Sequence, residues 1–258
     1  VSVLTVTYIG GPTALLEVGG LRLLTDPTFD PAGSAYPTPA YTLRKTQTPA
    51  LGPEMLQRID AVLLSHDHHA DNLDDLGRAS LPHSRVVYTT MAGAARLGGN
   101  AIGLEVWQRV ELADGVQLTA TPARHGPAQG DRGPVIGFVL TAAPPVPVVY
   151  VSGDTVWYDE VADVGRRFRP TIALLNLGAA RVAAAGPSAL TFTAAEAVEL
   201  ARAWPEATIV PLHFEGWEHF TEGRHEVDEA FQQAGLQHRL QWLRSGVRTP
   251  LSAAPRNG

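Results

Sequence analysis

The sequence predicts an α/β layered fold, and three observations predict it. Short apolar runs recur along the chain, each leading directly to a histidine or aspartate. Helical patterns fall between those runs. The chain also opens on alternating segments joined by glycine turns, the pattern of β-hairpins.

Taken in order, the N-terminal Val1–Tyr8 alternates like a strand, with Val3 to Ile9 as its core. Gly10-Gly11-Pro12 turns the chain, Thr13 to Val18 returns, Gly19-Gly20 turns again, and Leu21 to Thr25 forms a third strand. From Pro27 to Pro53 the sequence is rich in Pro, Gly, Thr and Tyr without a helical period. A loop of that length inside a globular unit is usually functional or mobile, so this one reads as a flap carrying Phe29, Tyr36 and Tyr41. Four buried strands follow, each ending in ligand-type chemistry. Ala61 to Leu64 leads to Ser65-His66, Val116 to Ala120 to His125, Val148 to Val151 to Asp154, and Thr208 to Val210 to His213. Their continuous apolar character suits strands covered on both faces. Between them, Tyr158 to Phe168 places Val161, Val164 and Phe168 on one helical face. Thr193-Ala194-Ala195-Glu196 is a capping box before an apolar stripe, and Glu226 to Ala234 stops at Gly235.

Composition narrows the function. With 45% hydrophobic and 18% charged residues, 258 residues suffice for one well-buried core, so residues 1–258 read as a single domain. Twenty basic against 26 acidic residues give a net charge of −6 and no basic patch, which argues against nucleic acid as a partner. There is no cysteine, so disulfides, thiolate metal sites and cysteine nucleophiles are excluded together. Neither a secretion signal nor a transmembrane segment is legible, and the expected location is cytoplasmic. The expected partner is a small-molecule substrate, with room for a homo-oligomer.

The densest chemistry is Ser65-His66-Asp67-His68-His69-Ala70-Asp71-Asn72-Leu73-Asp74, three histidines and three aspartates directly after a buried strand. A loop at a strand end can aim several side chains at one point, which a metal site requires because each ligand supplies only part of the shell. His125, Asp154 and His213 add ligand-type residues after three further strands, so all four segments can meet along one sheet edge. His83, His225 and His238 lack such company and read as surface residues.

The ordered set of His-rich loop, His125, Gly153-Asp154-Thr155 and Pro211-Leu212-His213 resembles the metallo-β-lactamase superfamily. Leu24-Thr25-Asp26-Pro27, Gly153-Asp154-Thr155 and His213-Phe214-Glu215-Gly216-Trp217 are similar to its branch of L-ascorbate-6-phosphate lactonase and N-acyl phosphatidylethanolamine phospholipase D. The resemblance runs from the opening hairpins to about Arg244. It implies a four-layer αβ/βα sandwich with one or two divalent metals at the sheet edge, zinc or manganese foremost and iron compatible. It also implies a loop reading His-x-His-x-Asp-His, from which this chain departs. In one alignment His66 and His68 are the first pair and Ala70 falls where the aspartate belongs. In the other, preferred because it keeps the aspartate, one residue is inserted and His69-Ala70-Asp71-Asn72 follows, with Asn in place of the last His. On that mapping site one is His66, His69 and His125. Site two is Asp71, His213 and the Asn72 carbonyl, and Asp154 bridges. An amide in place of an imidazole would weaken site two and favour manganese, iron or partial occupancy.

The implied chemistry is hydrolysis of a small ester, lactone or phosphoester by a metal-bound hydroxide, with Asp71 orienting the nucleophile and shuttling its proton. Asp26 and Asp74 are candidates to bond the outer nitrogens of ligand histidines. Phe29, Tyr36, Tyr41, Trp157, Tyr158, Trp217 and His219 are candidates for the pocket, Trp217 and His219 foremost. β-Lactam hydrolysis and a metal-binding scaffold without catalysis are the alternatives.

Overall fold

The computed structural model of the chain describes residues 4–113 and 115–252; the predicted strand start at Val1, Ser2 and Val3 lies outside them. The opening meander forms as the turns dictate: β1 (Leu4–Gly10), β2 (Thr13–Val18) and β3 (Leu21–Thr25) pair antiparallel in succession. The expected flap is not featureless. It carries a small antiparallel hairpin, β4 (Ala35–Pro37) and β5 (Thr42–Arg44), which stands apart as its own two-stranded sheet. No apolar alternation marks these two strands, because most of their residues are exposed or half-buried.

Beyond the flap the chain reads β6 (Ala61–Leu63), α1 (Asp75–Ser80), β7 (Val87–Thr90), α2 (Met91–Leu97) and β8 (Ala101–Leu104). These strands extend the first sheet in parallel from β3. A second stretch reads β9 (Arg109–Ala113), β10 (Val116–Pro122), β11 (Ile136–Thr141), β12 (Val149–Val151), α3 (Asp159–Phe168), β13 (Ile172–Asn176), α4 (Ala194–Ala203), β14 (Thr208–Leu212), α5 (Arg224–Gln233) and β15 (Arg248–Leu251). The sheets are ordered β15-β1-β2-β3-β6-β7-β8 and β14-β13-β12-β11-β10-β9.

The period of two along each strand sorts the core. Leu23, Ala61 and Leu63 face a cluster shared with Leu118, Phe138 and Val151 of the other sheet. Their neighbours Leu24, Val62 and Leu64 face the opposite side, against Leu73 and Leu81 around α1. Each fully buried Leu or Val there contributes about 1.5–3 kcal/mol. The second sheet is covered by helices: Val161 and Val164 of α3, Val198 and Leu200 of α4, and Val227 and Phe231 of α5 join its cluster. Helix, sheet, sheet and helix give the expected four layers.

Local signals set the helix ends. The Thr193 hydroxyl accepts from the Glu196 amide at 3.2 Å and Glu196 accepts from the Thr193 amide at 2.9 Å, the predicted capping box. Helix α5 starts at Arg224, ahead of the predicted Glu226, because Glu226 reaches back to the Gly223 amide at 2.7 Å. No helix among the described residues is long and apolar enough to cross a membrane.

The topology fixes where the chemistry emerges. Strands β3 and β6 are parallel, and so are β12, β13 and β14. Strand β10 is antiparallel to β11, which is antiparallel to β12, so β10 runs with β12. Strand β11 runs the other way, and the C-terminal ends of β3, β6, β10, β12, β13 and β14 share one edge of the paired sheets. Asp26, His66, His125, Asp154, Asn176 and His213 all sit at those ends.

Candidate metal centre

Three imidazoles, those of His66 and His125 buried and that of His69 half-buried, meet at one point. His66 Nε2 and His69 Nδ1 are 3.0 Å apart, and His125 Nε2 stands 3.1 Å from the same His69 nitrogen. The outer partners decide which nitrogens carry protons. The Ser65 hydroxyl spends its one proton on Asp26 Oδ2 at 2.8 Å, so it accepts from His66 Nδ1–H at 2.9 Å. His125 Nδ1–H donates to the Leu190 carbonyl at 2.8 Å. In the neutral rings both Nε2 atoms are therefore bare, and His69 Nδ1 can supply a proton to only one of them. At least one of the short approaches sets lone pair against lone pair. Nitrogens bound to one tetrahedral zinc stand about 3.4 Å apart, close to these separations. The donor set fits a cation.

Burial, with neighbouring imidazoles adding to it, holds His66 well below the usual histidine pKa and His69 at about 4. Neutral imidazole is the form that ligates.

Asp154 supplies a carboxylate from the opposite sheet. Gly153 precedes it at φ +58°, where an added Cβ would stand 2.7 Å from the Ile136 carbonyl oxygen and from Ser65 Cβ, so only glycine makes this turn. Asp154 Oδ1 accepts from Asn176 Nδ2 at 2.8 Å, Asn72 Nδ2 at 3.2 Å and His213 Nδ1 at 3.1 Å. Its Oδ2 lies 3.6 Å from His125 Nε2 and has no hydrogen-bond partner among the described residues. Burial opposes the charge on Asp154, but His213, His125 and His66 outweigh it and hold the carboxyl well below its usual range.

A second constellation adjoins the first. His213, at the end of β14, adopts φ +52°, an uncommon value for a non-glycine residue and one that clusters at functional sites. Its Nδ1 is spent on Asp154, and its buried Nε2 has no hydrogen-bond partner, 3.7 Å from Asp71 Oδ2. His219 Nε2 approaches the same Asp71 oxygen at 3.0 Å. Burial again opposes ionisation of Asp71, and the hydrogen bond and charge of His219, aided by His213, lower its pKa. For His213 burial disfavours the proton, and Asp154, with Asp71 behind it, outweighs burial and raises the pKa.

Several sequence expectations change in detail. His68 lies near His66 and His69, but its Nε2–H donates to the Arg132 carbonyl at 2.7 Å and its ring is partly exposed; His69 is the inward residue. Asn72 turns its amide nitrogen to Asp26 Oδ2 and Asp154 Oδ1, both at 3.2 Å, so it acts as a donor to carboxylates. The direct bond from His66 to Asp26 that the sequence suggested is not made. Asp26 accepts from the Ser65 hydroxyl, which accepts from His66, and burial raises the Asp26 pKa to about 7 despite the Ser65 amide. Asp74 bonds no histidine. It caps α1 through the Gly77 amide at 2.8 Å and binds the Phe29 and Asp30 amides and Lys45 Nζ.

The open face of the centre is lined by Tyr41, Leu43, His69, Asp71, His125, Arg132, Ala180, Val182, Leu190 and His219. Of the pocket candidates, only Tyr41 and His219 are there. Tyr36 bonds Asp30 and leans on Trp217, their rings 5.7 Å apart, while Trp157 packs on Trp204 at 6.2 Å. These aromatics brace the flap and the α4 side. Sequence reasoning missed Arg132 and Asn176. Asn176 ends the apolar run Ile172 to Leu175, the same strand-then-polar pattern that revealed the other four segments.

Comparison with known proteins agrees with this architecture. The chain is 28% identical over 246 residues to the UPF0173 protein YddR of Bacillus subtilis, covering 90% of this chain and 94% of the relative. It is 28% identical over 215 residues to a UPF0173 metal-dependent hydrolase of Pyrobaculum aerophilum, covering 81% and 83%. Among solved structures, an isothiocyanate hydrolase from Delia radicum gut bacteria shares the fold at a TM-score of 0.83 and 24% identity, covering 97% of this chain and all of that one. The beta-lactamase superfamily domain is matched over residues 21–214, three quarters of the sequence. The chain belongs to the metallo-β-lactamase superfamily.

Proposed function

We propose that this chain is a metal-dependent hydrolase of small esters, lactones or phosphoesters. The observation that carries the reading is the set of bare buried donors, His66 Nε2, His125 Nε2, Asp154 Oδ2 and His213 Nε2, gathered with His69 and Asp71 at one sheet edge. Site one is His66, His69, His125 and the free oxygen of Asp154. Site two is Asp71, His213 and His219, with His219 taking the place of the imidazole missing at Asn72. The nitrogen-rich donor sets suit zinc, with manganese and iron compatible. A divalent cation bound there supplies Lewis acidity, lowering the pKa of water and polarising the bond under attack.

The chain's own groups do the rest. Asp71, kept ionised by His219 and His213, accepts a hydrogen bond from the attacking water, takes its proton and delivers it to the leaving group. Ser65 and Leu190 lock the tautomers of His66 and His125. Leu43, Val182 and Leu190 exclude water around the reacting bond.

The test is chelator-stripped protein assayed on aryl esters, lactones, aryl phosphodiesters and a chromogenic β-lactam, then reloaded with zinc, manganese or iron. Turnover that vanishes with chelator and returns with metal is expected for at least one of the first three classes. Two metal equivalents are expected in the loaded protein and one in H219A. No turnover by fully loaded protein would favour a scaffold, and two equivalents in H219A would remove His219 from the site.

A further inference from the structure

Arg132 stands at the mouth of the metal pocket, facing the flap residue Tyr41. Its position is fixed from both sides of the centre. The Arg132 amide donates to the His125 carbonyl at 2.9 Å, and its carbonyl accepts from His68 at 2.7 Å. These two bonds anchor the Arg132 backbone to the metal loops, so its side chain starts from a fixed point beside the centre.

Its charge has nothing to do within the fold. The neighbouring Asp131 directs Oδ1 to the His125 and Gly133 amides at 3.0 and 2.9 Å. Asp71, the carboxylate of the pocket, is already engaged by His219 and His213. The guanidinium makes one bond, Nη2 to the Ala184 carbonyl at 3.3 Å, while its Nε is buried and has no acceptor among the described residues. A buried N–H without an acceptor costs about 1–3 kcal/mol, a cost that an acceptor oxygen brought by a ligand beside the pocket would relieve. With one side of the fork tied to Ala184, the group still to be satisfied is a planar fork, which carboxylate oxygens match in pairs.

We propose that Arg132, with Tyr41 across the pocket, forms an anion subsite that selects substrates carrying a carboxylate close to the bond to be cleaved. The inference rests on the hydrolase reading for its consequence in catalysis, and on the Arg132 geometry alone for its consequence in binding. Leu43, Val182 and Leu190 leave the pocket apolar elsewhere, so the guanidinium and the metal-facing groups bracket the substrate from two ends. The pocket has about 10 Å³ of open space, room for about one water, with Tyr41 and Arg132 both in its lining.

The test compares two esters with the same leaving group, 4-nitrophenyl acetate and mono-4-nitrophenyl succinate, on metal-loaded wild type, R132Q and R132K. Wild type is expected to prefer the succinate half-ester by about tenfold or more in kcat/KM. R132Q should lower kcat/KM for the succinate half-ester about tenfold more than for the acetate ester, chiefly through KM, with partial recovery in R132K. A thermal melt confirms that both variants are folded. Equal use of the two esters by wild type, or equal loss of both in R132Q, would overturn the subsite while leaving the hydrolase reading intact. If neither ester is turned over, ester hydrolysis falls and calorimetric titration of metal-free protein decides the subsite. Succinate that binds wild type about tenfold more tightly than R132Q, with no such difference for succinamide, supports it; equal binding refutes it.

Discussion

Removing Asp74 should damage the protein more than removing any ion pair on its surface, and the structure says by how much. Its Oδ1 accepts from the Phe29 amide at 2.9 Å and the Gly77 amide at 2.8 Å; its Oδ2 accepts from the Asp30 amide and from Lys45 Nζ, both at 2.8 Å. Both side chains are buried, Lys45 3% and Asp74 0% exposed. D74A therefore strands an ammonium out of water, at about 3–5 kcal/mol, and removes a helix cap, at about 0.5–2 kcal/mol. Residual support from Trp217, whose ring lies 5.3 Å from Nζ, offsets part of this. We expect D74A to lose about 4–5 kcal/mol, a large share of a typical 5–15 kcal/mol stability. K45M leaves Asp74 with three amide donors and should lose about 1–2 kcal/mol. The double variant is the informative one. Once the ammonium is gone the missing carboxylate matters less, so K45M/D74A should be more stable than D74A by about 1–2 kcal/mol. The assay is urea denaturation of metal-free protein, so that metal binding does not contribute. A loss below about 1.5 kcal/mol in D74A, or a double variant as unstable as the sum of the singles, would refute the stranded-charge reasoning.

Other consequences follow from the same geometry. H69A should abolish metal binding at site one and H68A should leave metal content unchanged, as read by elemental analysis; the opposite result would restore the alternative alignment. D26A and S65A should each weaken metal binding about 10–100-fold, because His66 loses the partners that set its tautomer, and competition with a chromophoric chelator reads this directly. Lys45 also gives a pH signature. Burial lowers its pKa from 10.5 although Asp74 pulls the other way. Its proton is then held less tightly folded than unfolded, so stability rises with pH across the window between the lowered folded value and 10.5. Wild type should gain on K45M in urea midpoints as the pH rises toward 10.5, and a constant difference would contradict the shift.

What the sequence revealed and what it hid divide along a physical line. Strands β2 and β3 and the end of β6 were legible because their alternation and glycine turns are local signals, as were the capping box of α4 and the stripe of α3. The ligand segments were legible because each follows a buried strand at once. The β4–β5 hairpin left no trace, since its residues bury no continuous face. Arg132 was hidden for a different reason. It lies in a Gly- and Pro-rich loop with no periodicity, and its meaning comes from His68 and His125, distant in sequence or reached through the backbone alone. The choice between His68 and His69 was likewise tertiary, because both follow the same strand and only the direction of the ring separates them.

The exchange at position 72 shows why counting motif residues misleads about a site's strength. An amide there reads as a lost ligand and a weakened second site. In the fold, Asn72 is one of three donors on Asp154 Oδ1, with Asn176 and His213, and together they turn the other oxygen of that carboxylate toward His125. In the proposed site the imidazole missing from the loop is supplied six residues beyond His213, where His219 Nε2 stands 3.0 Å from Asp71 Oδ2. A nitrogen donor that arrives from a different element keeps the donor chemistry of the pair and frees Asn72 to hold Asp26 and Asp154. On the proposed ligand set, the departure from the loop pattern relocates one donor of the second site rather than deleting it, and the metal count of H219A reads the difference.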